Sequence, residues 1–127
     1  MMKSMRIKTF VAVLAMGCMA LSHSVMANPI SLRQAQQNVL AFLQQRGIQI
    51  LTAQLQDSSL YYDTPMTGPT AIVMGTESTG LTDQWRRAAT AHIRIPMLGR
   101  LDSLNVSVSA AILVFEAVRQ RQAHIHA

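Results

Sequence analysis

TAIVMGTESTGL at residues 70–81, TDQWRRAA at 82–89 and AHIRIPMLGRLDSLNVSVSAAILVFEAVRQR at 91–121 together decide how this chain folds. Thr70 to Met74 is a short run with β-branched residues, the pattern of a buried strand. Gly75 follows at once, and Gly75 and Gly80 bracket Thr76, Glu77, Ser78 and Thr79. That spacing lets the backbone turn sharply and approach a ligand without a Cβ in the way. Leu81 leads into a short helix with Thr82 as its expected N-cap and Asp83 in its first turn. His92 to Ile95 reads as the next strand, ended by Pro96. The loop PMLGRLDSL then opens into a helix from Asn105, where Val106, Ala110, Val114, Ala117 and Val118 recur at helical spacing and are expected to face the core. Two loops after neighbouring strands can close over one small ligand.

The motif GTESTGL at 75–81, then IPM at 95–97, then SLNVSVS at 103–109, in that order and spacing, resembles the second and third motifs of the SpoU/TrmH-type RNA 2'-O-ribose methyltransferases. The resemblance is firmest from Thr70 to Arg121 and extends back to Leu32. It implies an α/β fold of the SPOUT type, a mainly parallel sheet flanked by helices, with a C-terminal trefoil knot in which the last helix threads a preceding loop. Such a knot is an exception to the usual rule of unthreaded connections. The resemblance also implies S-adenosyl-L-methionine as cofactor, tRNA or rRNA as substrate, and a homodimer paired through the knotted region, with Ala110 to Arg121 serving both threading and pairing.

Residue by residue, the resemblance assigns cofactor contacts to Gly75, Ile95 and Leu104. It assigns the polar motif roles, orienting cofactor, ribose and catalytic groups, to Glu77, Ser103 and Asn105. Glu77 read alone is a turn-capping residue, Ser103 an ordinary hydroxyl on the approach to a helix, and Asn105 an N-cap; a capping Asn can also hold the loop. Arg86, Arg87, Arg94 and Arg100 are candidates for phosphate contact, with solvated surface arginines as the alternative; Arg86, Arg94 and Arg100 are the RNA-binding set. The family's first motif carries an Asn and, further on, an Arg that assists ribose activation. This chain has no Asn before Asn28, and neither Arg6 nor Lys8 fits the Arg role. It therefore reads as the C-terminal portion of such a domain, with a catalytically inactive remnant that binds cofactor or RNA as the alternative function.

Composition sets outer limits. At 127 residues the chain is large enough for one core and not for two. A formal charge of +5 suits a polyanionic partner, because Lys and Arg that neutralise phosphates release condensed counterions. The single Cys18 excludes an internal disulfide and cannot by itself build a cysteine metal site. No metal is expected; His124 and His126 read as a solvated tail. No GxSxG elbow accompanies the Ser, His and Asp residues, and Gly80 is not followed by Lys-Ser or Lys-Thr, so neither a hydrolase nor a P-loop is indicated.

Residues 1–28 form an apolar segment with two readings, and 29–127 hold the methyltransferase portion. Lys3, Arg6 and Lys8 precede the apolar run Phe10 to Leu21, and Val25-Met26-Ala27 reads as a small-residue cleavage site, so the segment has the make-up of an export signal. Its other reading is a strand or helix of the domain itself. The run is too short to span a membrane comfortably. An enzyme that uses S-adenosylmethionine on RNA needs both in the cytoplasm, so a cytoplasmic location is expected, with export as the alternative and no membrane partner.

From Asn28 to Gly47 the chain reads as a helix. Ser31 is its N-cap, Leu32, Ala35, Val39, Leu40, Phe42 and Leu43 lie mainly on one face, and Gly47 is the stop. Ile48 to Thr52 reads as a strand. Asp57 to Gly68 reads as loop, with Tyr61 and Tyr62 available to stack on a base or to pack over the sheet edge. The order helix, strand, loop, strand, helix, strand, helix predicts a layered α/β domain.

Overall fold

A computed structural model describes residues 11–15 (backbone only), 30–76, 80–100 and 104–127. Five strands form one sheet: β1 (Val11–Ala15), β2 (Gln49–Ala53), β3 (Ser59–Leu60), β4 (Thr70–Met74) and β5 (Ala91–Arg94). Their order across the sheet is β1-β4-β2-β5-β3, and every pairing is parallel. Three helices cover it: α1 (Leu32–Gln45), α2 (Asp83–Ala88) and α3 (Val106–Ile125). The expected α/β class with a parallel sheet is what the chain adopts. Within the apolar N-terminal run, Val11 pairs with Thr70 and Ala15 with Met74 along the outer edge of β4; the rest of the run, residues 10 and 16–21, lies outside the described residues.

A parallel strand buried on both faces is expected to be largely apolar; β4 is buried at all five positions and apolar at four, and the hydroxyl of the fifth, Thr70, is hydrogen-bonded to Gln49 and Gly68. Alternate residues serve opposite layers. Ala71 and Val73 join Ile50, Leu40, Leu43, Leu81 and Trp85 under α1 and α2, whereas Ile72 and Met74 join Leu51, Ile93, Met66, Leu113 and Ala117 under α3. Each fully buried aliphatic side chain contributes roughly 1.5–3 kcal/mol. One polar group in this interior is paired across strands: the buried Thr52 hydroxyl lies 2.5 Å from His92 Nδ1 on the adjacent strand.

Helix α1 is fixed at both ends by the chemistry its sequence carries. The Ser31 hydroxyl accepts from the Gln34 N–H at 3.1 Å. At the other end Gly47 takes φ +62°, its N–H donates to Gln44 and the Ile48 N–H reaches back to Leu43, the paired bonds of a Schellman stop. The buried face of α1 is Gln36, Leu40 and Leu43; Leu32 and Phe42, expected inside, are exposed. Phe42 instead lies 5.0 Å beneath the Arg46 guanidinium. Thr82 stands at the start of α2 as expected but makes no side-chain capping bond; its carbonyl accepts from Trp85 and Arg86.

The segment read as loop from Asp57 to Gly68 contains β3, a two-residue strand against β5, and a 3-10 turn at Tyr61–Asp63. Two residues carry no periodicity, so only the neighbouring strand makes β3. Tyr61 packs on the core and meets Tyr62 edge-on, with ring centres 5.0 Å apart.

Helix α3 shows a further departure. Its core face is centred on Ser109, Leu113 and Ala117, with Glu116 also buried, while Val114 and Val118 lie half-buried on the flank. Of the expected core residues Ala117 is buried and Val106 and Ala110 pack against the core; periodicity blurs the edge of the face because apolar residues occur almost all round this helix, and Val108 and Phe115 point to solvent. The C-terminal half is fastened to the segment that enters β4. Gln120 accepts from the Met66 N–H at 2.7 Å and donates to the Thr64 carbonyl at 3.1 Å, and Arg121 donates to the carbonyls of Met66 and Gly68. Glu116 accepts from both Arg119 and Gln120.

Candidate functional site

The three adjacent inner strands β4, β2 and β5 all end on the same side of the sheet, because parallel strands share a direction. Beyond their carboxyl ends, where open α/β sheets bind ligands, lies a hollow of about 280 Å³. Ala53, Gln54 and Leu55 line it from β2, Met74, Gly75 and Thr76 from β4, and Ile93, Arg94 and Ile95 from β5. The start of α3 closes it with Leu104, Val106, Ser109 and Leu113. Gly75, Ile95 and Leu104, taken from three separated motifs, thus border one space.

The glycine pair works differently from the sequence expectation. Thr76 and Gly80 form an antiparallel bridge, with the Gly80 N–H donating to the Thr76 carbonyl at 2.9 Å, so the loop between them is pinched at its base. A Cβ at Gly75 would lie 2.5 Å from the Gly80 carbonyl carbon and 2.7 Å from Gly80 Cα. The absent side chain therefore makes room for the loop's own neck, and the neck in turn forms one wall of the hollow. Gly80 itself takes φ +66°, a left-handed conformation that glycine adopts without strain.

Asn105 stands at the N-cap of α3, its side-chain oxygen accepting from the Ser107 N–H at 2.8 Å. The cap fixes where the helix begins and so where Leu104 and Val106 meet the hollow. Glu77 and Ser103 lie outside the described residues. Arg86 lines the hollow and is exposed; Arg100 is exposed on the loop after β5. Arg94 lines the same hollow, half-buried, with its guanidinium donating to the Ser58 carbonyl and its hydroxyl. Ser58 in turn donates to the Leu55 carbonyl at 2.8 Å, so Arg94 ties the turn after β2 to β5.

Sequence reading missed the contribution of β2. Gln54 is held by its backbone N–H on the Ile93 carbonyl and by its side-chain Nε2 on the Gln56 carbonyl, 2.9 and 2.8 Å away. Its Oε1 is buried and meets no donor among the described residues. Leaving such an acceptor unpaired costs about 1–3 kcal/mol. The signal that locates these residues is topological: once β2 is placed between β4 and β5, its last residues must reach the same crevice.

A parallel α/β sheet with a crevice at three strand ends, closed by a pinched glycine loop and a helix start, defines a nucleotide-type ligand site in class. The SpoU rRNA Methylase family model matches residues 16–115, and the chain belongs to that family. It is 43% identical over 86 residues to the tRNA (guanosine(18)-2'-O)-methyltransferase of Escherichia coli K12, covering 67% of this chain and 38% of that protein. It is 45% identical over 80 residues to the 23S rRNA (guanosine-2'-O-)-methyltransferase RlmB of Photobacterium profundum, covering 63% of this chain and 33% of that one. Among solved structures, the SpoU methyltransferase AviRb from Streptomyces viridochromogenes in complex with AdoMet superposes with a TM-score of 0.62 at 30% identity, over 67% of this chain and 34% of AviRb. The chain thus spans about a third to two fifths of the length of these proteins.

Among the described residues no group of three or more His, Cys, Asp or Glu side chains is placed to hold a metal. None of the described helices is long and apolar enough to cross a membrane.

Proposed function

We propose that this chain carries an S-adenosylmethionine-dependent RNA 2'-O-ribose methyltransferase site acting on tRNA or rRNA. The observation that supports this most directly is the meeting of Gly75, Ile95 and Leu104 around one crevice in a chain of this family. The residues present fit the cofactor. Met74, Ile93, Ile95, Met97, Leu104 and Leu113 offer apolar walls for a flat ring, and Gln54 offers a buried acceptor without a described donor. When bound, the cofactor supplies a methyl group already activated by its sulfonium.

The chain's own task is positioning, since an activated methyl group needs an in-line nucleophile and a route for its proton. A ribose 2'-hydroxyl is a weak nucleophile and gains from a general base or from donors that stabilise a developing alkoxide. In this reading Glu77, Ser103 and Asn105 orient the ribose and the reacting groups, and Asn105 also holds the start of α3. Arg86 and Arg100 contact backbone phosphate, whereas Arg94 contacts it from a braced position beside Ser58. The reading also includes pairing of two copies through the outer face of α3, where Val108 is 49% and Phe115 is 74% exposed. The threaded C-terminus and a cytoplasmic location, where RNA and cofactor are available, complete it.

Incubation of the purified chain with methyl-labelled S-adenosylmethionine and total RNA tests this, beside titration calorimetry with S-adenosylhomocysteine. Expected is label in alkali-resistant dinucleotides, because a 2'-O-methyl group blocks cleavage at that position. Heat of binding without any label in RNA would overturn the catalytic reading and leave a binding module.

A further inference from the structure

The cofactor reading accounts for the apolar walls of the crevice but assigns nothing to Gln54, the side chain that the strand order brings there. Its amide is not free to choose its orientation. Nε2 donates to the Gln56 carbonyl at 2.8 Å, and a flipped amide would set oxygen against oxygen. Oε1 is consequently fixed as an acceptor, buried, with no donor among the described residues, in the wall of the hollow. The backbone beneath it is anchored as well, because the Gln54 N–H is bonded to the Ile93 carbonyl at 2.9 Å. A fixed, buried, unpaired acceptor on a residue that lines the hollow is complementary to a ligand donor.

Resting on the cofactor reading above, we propose that Gln54 Oε1 accepts a hydrogen bond from the 6-amino group of the cofactor's adenine, making Gln54 the residue that selects an adenine over a 6-oxo purine. S-adenosylmethionine offers the neutral 6-amino group, the two ribose hydroxyls and the charged α-ammonium as donors, and of these only the 6-amino group is replaced in an inosyl analogue, so a preference between adenosyl and inosyl ligands reads that group alone. The crevice favours the 6-amino group over the α-ammonium. Arg86 and Arg94 line the same hollow, and none of its described lining residues is a carboxylate, so a third cation there would face two like charges. The walls next to Gln54, Ala53 and Leu55 on its own strand end and Ile93 and Ile95 on β5, suit a ring face. A 6-oxo purine would present an acceptor to an acceptor, and a site built to receive an N–H discriminates strongly against a ligand that lacks it.

Titration calorimetry of the full chain with S-adenosylhomocysteine and with S-inosylhomocysteine, in which oxygen replaces the 6-amino group, tests the assignment. The wild-type chain is expected to prefer the adenosyl ligand by roughly tenfold or more, and Gln54→Leu to bind it roughly three- to tenfold more weakly and to lose the preference. Absence of a preference in the wild type, or a preference that survives Gln54→Leu, overturns the proposal while leaving the cofactor site intact. Failure of both ligands to bind the wild type removes the cofactor reading and this proposal together. A third ligand, 5'-methylthioadenosine, lacks the amino-acid portion: its affinity is expected to fall in Gln54→Leu by the same factor. An unchanged affinity would assign the contact to the α-ammonium and overturn the adenine assignment.

Discussion

Two concave surfaces of this molecule invite comparison. One is the hollow of about 280 Å³ at the ends of β2, β4 and β5; the other is a wider groove of about 790 Å³ between α1 and α2, lined by Arg33, Gln36, Gln37, Asp83, Gln84 and Arg87 among others. The larger one is lined by residues of α1 and α2 and the approach to α2, most of them exposed, with Gln36 and Leu40 buried. The smaller one is built by backbone: three strand ends, a pinched glycine neck and a capped helix start. Size therefore does not identify the site here. Convergence of elements that cannot move independently does.

The sharpest way to break the comparison is to remove a shared support of the hollow. Leu113 is fully buried and lies both in the core and in the wall, so Leu113→Ala is expected to cost about 2–5 kcal/mol by chemical denaturation and to abolish measurable binding of S-adenosylhomocysteine. Gly75→Ala comes next. Its new methyl must displace the Gly80 backbone, costing about 1–3 kcal/mol and weakening the same ligand at least roughly tenfold; an unchanged dissociation constant would mean that the neck plays no part in the site. Asn105→Ala removes the α3 cap and is expected to lower stability by about 0.5–2 kcal/mol, with Asn105→Asp restoring most of it.

A smaller effect is visible through pH. The Glu116 carboxyl is held below its ordinary value, chiefly by the hydrogen bond from Arg119, with burial opposing and Gln120 assisting. A lowered carboxylate value means that its stabilisation is full above the unfolded value near 4.3 and is lost as pH falls through the lowered one. The stability difference between wild type and Glu116→Gln should accordingly shrink on acidification from about pH 5 to 3; a gap that stays constant would separate Glu116 from the fastening of α3. Smallest of all, Gln37→Ala in the wide groove is expected to change neither stability by more than about 0.5 kcal/mol nor ligand affinity.

What could be read from the sequence depended on whether the cause was local. Thr70–Met74 is bounded as expected, because a β-branched threonine and four apolar residues before a glycine specify a doubly buried strand without outside help. Ser31 and Gly47 end α1 as expected for the same reason. The placement of Leu113 at the centre of the α3 face depended on packing partners tens of residues away. So did β3, which exists only because β5 lies beside it. At the site, the glycine loop and Asn105 were legible as motifs, whereas Gln54 sits in an unremarkable QLQ and gains meaning only from the order of the strands.

The outermost strand carries a consequence for how the molecule is made. Val11 pairs with Thr70, so the earliest of the described strands must wait for 59 further residues before its partner is synthesised. At about 5–20 residues per second that interval is on the order of 3–12 seconds. Throughout it, an apolar run preceded by Lys3, Arg6 and Lys8 is presented to whatever surveys nascent chains. Slower translation between codons 15 and 74 thus lengthens the time for which this strand stays without its partner.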